Sequence, residues 1–453
     1  MGAAMGKIQQ PDWTALPKDI VDTIPEFLDR QSDVDRLRAV CKRFQSSAPP
    51  RPKLPQAYSS YTIPFPESTR TSPLVHLLLT QSTIFAIQPR EEISIEHEDT
   101  AKTWVIKIEK SETGIVQLRD PLTEFSFLRL SSSLPRTLNL LDYHVEEITK
   151  AYGLEVVVSP KCKGAKNAID LNTVDDFFFQ KVAVSSCFAE EDERFTVIAI
   201  YGISNRIKLG FWRKMIGRWI KIVHQPDYFR PDDVVYCDRK FYVVSTLGDT
   251  ISVDCESLVI TEVAAGPQRE PRDGYRSLVK SPDNCMFLVT KYFSDALPNE
   301  FHNDENTAPI DFYVCKLDEE HGAWVLVNNE LENQSLFVGK DCSFCLSTKK
   351  FTGCLENCIY FPDSQFIGTN RCHPGWFAGI YDLDDDSITP LSVFPSQSRI
   401  FWPPPSWVNH NYNSSSRWSW KKLFASASGG FSNILMKMFT AMITVVIVIS
   451  MLA

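Results

Sequence analysis

The stretch VVYCDRKFYVVSTLGDTISVD, residues 234–254, holds three runs of β-branched and aromatic residues separated by two polar turns, Asp238-Arg239 and Gly248-Asp249. Short runs of this kind bounded by Gly, Asn or Asp mark antiparallel strands joined by tight turns. The same form recurs on both sides. Upstream, WVIKIEKSETGIVQL (104–118) reads as strand, Gly-containing turn, strand, and FTVIAIYG (195–202) leads into IKLGFWR and RWIKIV. Downstream, IDFYVCKLDEEHGAWVLVNN (310–329) repeats the unit and places a Trp near its end. From about residue 74 to 408 such units follow one another without a long helical stretch. That predicts a β-propeller rather than a small sandwich, because radial blades accommodate many short antiparallel strands.

Composition agrees with a mainly β globular chain. The 453 residues are 43% hydrophobic and 23% charged, which excludes a largely disordered, collagenous or coiled-coil protein. Aromatics make up 12%, material for a large core, while 28 Pro and 19 Gly point to many short elements joined by turns. A net charge of −9 gives no support to nucleic-acid binding through a broad basic surface. The start, MGAAMGKIQQPDW, has neither the hydrophobicity of a signal peptide nor the arginines of a transit peptide. The twelve cysteines are therefore expected to be reduced, in cytosol or nucleus, and the Asn-x-Ser patterns at Asn333 and Asn413 to be chance matches.

Residues 12–48 differ from the rest. Leu16-Pro17 opens a predicted helix whose apolar positions Ile20, Val21, Ile24, Phe27 and Leu28 fall on one face at a 3.6-residue period. Ser32, three residues before Asp35, starts a second helix in the manner of a capping box. Its apolar positions are Val34, Leu37, Val40, Cys41 and Phe44, with Arg36, Arg38, Lys42 and Arg43 polar. Two short amphipathic helices cannot bury both apolar faces alone. Either they pack on the rest of the chain or they receive a partner. Residues 49–73, with six prolines from Pro50 to Pro73, read as a linker or strap at a domain boundary.

At the other end, a polar linker at 409–433 precedes an apolar run at 434–453, in which Lys437 is the one charge. As a helix the run spans ~30 Å, the hydrocarbon thickness of a bilayer. Ten of its residues are Ile, Leu, Val or Phe, worth roughly −3 to −6 kcal/mol on insertion. Lys437 costs up to ~3 kcal/mol at the bilayer centre but can snorkel from one turn inside. Arg417, Lys421 and Lys422, with Trp418 and Trp420, lie on the N-terminal side, so the expectation is a C-terminal transmembrane tail anchor with the chain facing the cytosol.

Chemistry-bearing patterns are sparse. Cys342-x2-Cys345 and Cys354-x3-Cys358, with Cys372-His373 downstream, invite a zinc reading. Their knuckles lie closer together than the dozen or more residues that usually separate paired zinc ligands, and Cys358-Ile359-Tyr360-Phe361 reads as a strand. Asp382, Asp384 and Asp386 resemble the opening of a calcium loop. Ser387 stands where Gly is required and Val393 where a bidentate Glu is required, so an acidic turn fits better. Glu190 to Glu193 read as an exposed loop. No His-Glu-x-x-His, Gly-x-Ser-x-Gly, Walker loop or dinucleotide fingerprint occurs, so neither catalytic residues nor a metal or cofactor are expected.

The first zone, with DWTALPKDIVDTI followed by RLRAVCKRF, resembles an F-box. The middle zone resembles the KIB-type β-propeller domain that plant F-box proteins carry behind it, on the strength of FVGKDCSFCLSTKKFTGCLENCIYF (337–361), IYDLDDDSITPL (380–391) and IFWPPPSWV (400–408). The resemblance implies a non-catalytic substrate receptor of an SCF-type ubiquitin ligase. It implies that Leu16, Pro17, Ile20, Val21, Ile24 and Leu28 of the first helix, and Leu37, Val40, Cys41 and Phe44 of the second, bind a Skp-type adaptor and through it a cullin. The propeller at 74–408 would hold a target protein. Pro25 departs from the family pattern, since it removes a backbone donor inside the first helix and should kink it. A membrane-anchored propeller scaffold with a degenerate F-box, or a ligand-binding propeller with converging polar and aromatic side chains in a central pocket, is the alternative reading.

Overall fold

The computed structural model describes residues 42, 46, 61–66, 75–89, 102–110, 116–123, 137–139, 143–158, 177–185, 195–203, 206–223, 229–268, 274–293, 310–327, 331–363, 375, 377–391, 400–402, 405, 407 and 446–448. They form five β-sheets in a ring, a five-bladed propeller. Blade I contains β1 (Tyr61–Pro64), β2 (Val75–Pro89), β3 (Trp104–Lys110) and β4 (Val116–Arg119), and a two-stranded excursion carries β5 (Thr137–Asn139) before β6 (Tyr143–Val158) returns to the sheet. β6 pairs with β2 along its whole length, so β1 and β3 share the opposite edge of β2. Blade II is β7 (Phe177–Val184), β8 (Thr196–Ile203), β9 (Arg206–Arg213) and β10 (Trp219–Ile222), each pairing with the next.

Blade III is β11 (Pro231–Cys237), β12 (Lys240–Ser245), β13 (Thr250–Asp254) and β14 (Ile260–Ala264), and blade IV is β15 (Gly274–Lys280), β16 (Met286–Phe293), β17 (Ile310–Asp318) and β18 (Ala323–Leu326). Both are simple antiparallel meanders. The turn between β11 and β12 is Asp238-Arg239, with φ of 46° and 66°. Two left-handed residues match the twist of the flanking strands, and Asp tolerates that conformation better than most side chains.

Blade V is irregular. β19 (Gln334–Val338) turns back into β20 (Ser343–Ser347), and β21 (Cys358–Pro362), β22 (Ala378–Asp382) and β23 (Ile388–Pro390) complete the order β20-β19-β21-β22-β23. β19 is antiparallel to β20 and parallel to β21. The turn therefore throws β20 to the inner edge, where it meets β15 of blade IV and β6 of blade I. With β6 against β7, β7 against β11, and β11 against β15, the inner strands close the ring.

Cores lie between neighbouring blades. The long β2–β6 pair serves two of them: Ile84, Ala86 and Ala151 pack with Phe337, Tyr360 and Phe401 on the blade V side, whereas Leu77, Leu79 and Leu154 pack with Val182, Val197 and Trp212 on the blade II side. Phe337 is completely buried and stacked between Phe344, at 4.6 Å, and Tyr360, at 4.5 Å.

The mainly β, propeller expectation therefore holds, and the strands read at 104–118, 195–222, 234–254 and 310–326 are in place. Three particulars differ or lie elsewhere. Tyr61–Pro64, inside the segment read as a linker, is strand β1; the alternation of Tyr61, Ile63 and Phe65 buries Ile63 and Phe65 completely or nearly so. In the apolar run read as a C-terminal helix, Val446–Val448 is a strand, β24, paired antiparallel with β5. Three consecutive β-branched residues favour that extended state, and it corrects the helical reading at those positions. Among the described residues no helix is long and apolar enough to cross a membrane. In the segment read as an F-box, the described residues Lys42 and Ser46 are helical and exposed, one turn apart.

Truncating Phe337 to Ala would remove both stacking contacts within blade V and its packing in the core shared with blade I. The expected loss is ~3–5 kcal/mol of unfolding free energy, read from a urea midpoint at unchanged m-value. A loss within ~0.5 kcal/mol would mean that Phe337 is not buried and stacked as described.

Candidate functional site

The centre of the ring is held by charged side chains that reach between blades. Lys107 on β3 lies in a strand buried on both faces: Trp104, Val105 and Ile106 are each at most 5% exposed and Lys107 itself 1%. Its ammonium pairs with Asp341 in the β19–β20 turn and donates to the Thr123 carbonyl at 3.1 Å. Burial lowers the pKa of Lys107, but Asp341 beside it, together with Cys342 and Asp120 nearby, outweighs burial and the net shift is upward. The turn can be this tight because Gly339 has no side chain; a Cβ there would lie 2.2 Å from the Cys342 carbonyl oxygen. Lys340 completes the link to blade I by donating its backbone N–H to the Leu122 carbonyl at 2.8 Å.

On the opposite side of the centre, Asp232 and Asp233 open β11 and pin three blades together. Asp233 accepts backbone N–H groups of Val234, at 2.7 Å, and of Leu278 on β15, at 2.8 Å, and pairs with Lys181 on β7 at 3.3 Å. Asp232 accepts from the Arg276 backbone at 2.6 Å and from the Gln180 side chain at 3.1 Å. Lys181 also donates to the Gly339 carbonyl at 3.3 Å, which ties blade II to blade V. Burial raises the pKa of both aspartates; the Lys181 ammonium opposes this for Asp233, and the Arg276 amide for Asp232.

A third buried carboxylate, Asp120, accepts backbone N–H groups of Leu122, Thr123 and Gly375, at 2.8, 3.0 and 2.6 Å. Burial pushes its pKa up while those amides pull it down, with a net rise. Gly375 has φ +76°, and a Cβ there would meet Leu391 and Phe401 at 2.8 Å, so this approach needs glycine.

Two cavities adjoin these pairs. One, of about 370 Å³, lies between the β2–β6 pair and β7 and is lined by Lys107, Arg119 and Lys181 among others. The second, of about 320 Å³, runs past Glu147, Lys181, Asp233 and Ser343 on four inner strands. Lys181 and Asp341 belong to both.

The cysteine segment is core. Cys342, Cys354 and Cys358 pack in the cluster with Phe337 and Tyr360, while Cys345 faces the neighbouring cluster with Ile359 and Tyr381. Burial pushes the thiols of Cys342, Cys345 and Cys354 up to about 12, and that of Cys358 further. Such thiols stay protonated at neutral pH, and a protonated thiol is a poor nucleophile. Cys372 and His373 lie outside the described residues. Among the described residues no three His, Cys, Asp or Glu side chains are grouped to hold a metal.

The acidic turn joins β22 to β23, and its carboxylates face their own chain. Asp382 accepts the Asp384 N–H at 2.9 Å, Asp385 that of Ser387 at 3.0 Å, and Asp386 the Tyr381 hydroxyl at 2.8 Å. All ten adaptor-contact positions, Leu16, Pro17, Ile20, Val21, Ile24, Leu28, Leu37, Val40, Cys41 and Phe44, lie outside the described residues, as does Glu190 to Glu193. The residues at the centre, Lys107, Lys181, Asp233 and Asp341, were missed in sequence. A lysine inside WVIKIEK and another inside FFFQKVAV, each within an otherwise apolar strand, were the available signals.

Comparison with known proteins decides the family. The KIB1-4 beta-propeller family model matches residues 78–382, two thirds of the chain. This chain belongs to the KIB1-4 β-propeller family. Among similar proteins are two from Arabidopsis thaliana. F-box protein SKIP23 is 26% identical over 414 residues, covering 88% of this chain and 95% of that protein. F-box protein At2g17036 is 26% identical over 423 residues, covering 89% and 96%. The resemblance to plant F-box proteins with a KIB-type propeller thus holds. Among solved structures, TolB from Acinetobacter baumannii matches with a TM-score of 0.26 and 8% identity, covering 68% of this chain and 62% of that one, below the level of a shared fold.

In the native KIB1-4 propeller, Cys342, Cys345 and Cys354 should resist a maleimide at pH 7 and gain no reactivity up to pH 9, because thiols held near 12 form no appreciable thiolate in that window. Peptide mapping after labelling checks this. Native-state modification of any of the three at the rate of a free thiol would contradict the buried placement.

Proposed function

We propose that this KIB1-4 family member is a substrate-recognition subunit of an SCF-type ubiquitin ligase, with residues 12–48 as an F-box that binds a Skp-type adaptor and, through it, a cullin. The observation that carries the reading is similarity over nearly nine tenths of the chain to proteins named F-box proteins. The two apolar stripes beside residues 16–28 and 37–44 support it, since faces too small to form a core alone are closed by an adaptor. In this reading the propeller binds a target protein and raises its effective concentration at the ubiquitin-charged enzyme, and the chain itself does no bond chemistry.

An affinity pull-down of the full chain tests this. Wild type should recover a Skp-type adaptor, and Leu16→Ala with Leu37→Ala should recover at least about 10-fold less, because each truncation removes a buried anchor. No recovery by wild type, or equal recovery by the double variant, eliminates the receptor reading.

A second proposal concerns location. The run 434–453, with a single charge, supports attachment to a membrane with the propeller in the cytosol, whereas the β5–β24 pairing uses part of the same run within the chain. Alkaline carbonate extraction separates these uses. Anchoring keeps the intact chain in the pellet and releases a chain cut after Gly430; a soluble intact chain rules anchoring out.

A further inference from the structure

We propose that the cavity between the β2–β6 pair and β7 is a binding site for a small hydroxylated monocarboxylate. Its volume, about 370 Å³, falls in the range of small-molecule sites and exceeds what one or two structural waters occupy.

The wall carries three cations, Lys107, Arg119 and Lys181, and three carboxylates, Glu109, Glu155 and Asp341. Arg119 pairs with Glu109 at 2.8 Å and Lys107 with Asp341. With Lys181 paired to Asp233, each cation already has a carboxylate partner and Glu155 is left over, so a dianion such as phosphate would meet net repulsion, and a single negative charge can be held only where hydrogen-bond donors remain.

That place is beside the two buried ammoniums. An ammonium has three donors. Lys107 uses two on Asp341 and the Thr123 carbonyl, and Lys181 two on Asp233 and the Gly339 carbonyl, both at 3.3 Å. Both side chains line the cavity, which leaves one donor of each for a carboxylate.

Hydroxyl groups find their partners on the remaining wall. Thr80, Ser82 and Gln180 line it, and Gln180 spends its amide N–H groups on Asp232, which keeps its carbonyl oxygen available as an acceptor. Tyr152 and Phe179 supply flat apolar surface for the carbon skeleton. Gly153, opposite Thr80 in the β2–β6 register, holds the floor open: a Cβ there would lie 2.9 Å from the Thr80 hydroxyl and nothing else. The inference is independent of adaptor binding.

Thermal unfolding of the purified full chain tests it, with gluconate, quinate and lactate as probes, glucose as the neutral control and inorganic phosphate as the dianion control. At about 10 mM, at least one carboxylate should raise the Tm of wild type by about 2–5 °C, with no shift from glucose or phosphate. Lys181→Met should abolish the shift. Because that change also leaves Asp233 unpaired and can unfold the chain, Gly153→Val is the second variant. It narrows the cavity against one flexible side chain, should keep the ligand-free Tm near wild type, and should also abolish the shift. The proposal is overturned if no carboxylate shifts wild type, if glucose or phosphate shifts it equally, or if folded Gly153→Val responds like wild type.

Discussion

Five sheets can pack side by side without forming a ring; what makes this chain a closed propeller is a set of buried lysine–aspartate contacts at the centre. Lys107 and Asp341 join blades I and V, Lys181 reaches from blade II to Asp233 of blade III and Gly339 of blade V, and Asp232 and Asp233 take backbone donors from blade IV. Apolar packing between blades is strong but indifferent to small slips, since it scales with area. Directed hydrogen bonds to buried charges are not indifferent. A slip of one residue along β11 that put Val234 in the place of Asp233 would strand Lys181, a buried-charge error costing ~3–5 kcal/mol. In this chain the charged centre sets the angular registration of blades that hydrophobic burial holds together.

The outer fold was legible because its grammar is local. Period-two alternation, Asp-Arg and Gly-Asp turns and the Trp at the end of a unit lie within a few residues of each other, and blades III and IV follow that grammar closely. Blade V was not legible in the same way. Placing β20 inside β19, and β21 parallel to β19, depends on Gly339 admitting the Cys342 carbonyl and on Asp341 meeting a lysine more than two hundred residues earlier. The cysteines there were readable as small buried hydrophobes, whereas the neighbouring Asp341 became meaningful only with its partner known. The strand Tyr61–Pro64 was hidden by its prolines: Pro64 can occupy a strand end, where it removes no ladder hydrogen bond that the edge requires.

The central lysines also separate two demands on one set of residues. A recognition propeller needs a rigid frame, which the interblade bonds supply, and it needs a surface with specific donors and acceptors. Lys181 and Asp341 are bonded across blades and also line both cavities. A group bound there would contact the same side chains that register the blades, so occupancy and rigidity are coupled through shared hydrogen bonds rather than through a distant pathway.

The position of β1 bears on how the two ends of a receptor would cooperate. Because Tyr61 is already paired with Leu79, the stretch between residues 12–48 and blade I is not the full 49–73 segment but only about a dozen residues, 49–60. Fully extended, that stretch reaches at most about 40 Å. In the receptor reading proposed above, the pairing of Tyr61–Pro64 with β2 shortens the span between an adaptor on residues 12–48 and a target on the propeller, which would raise the effective concentration of one partner at the other.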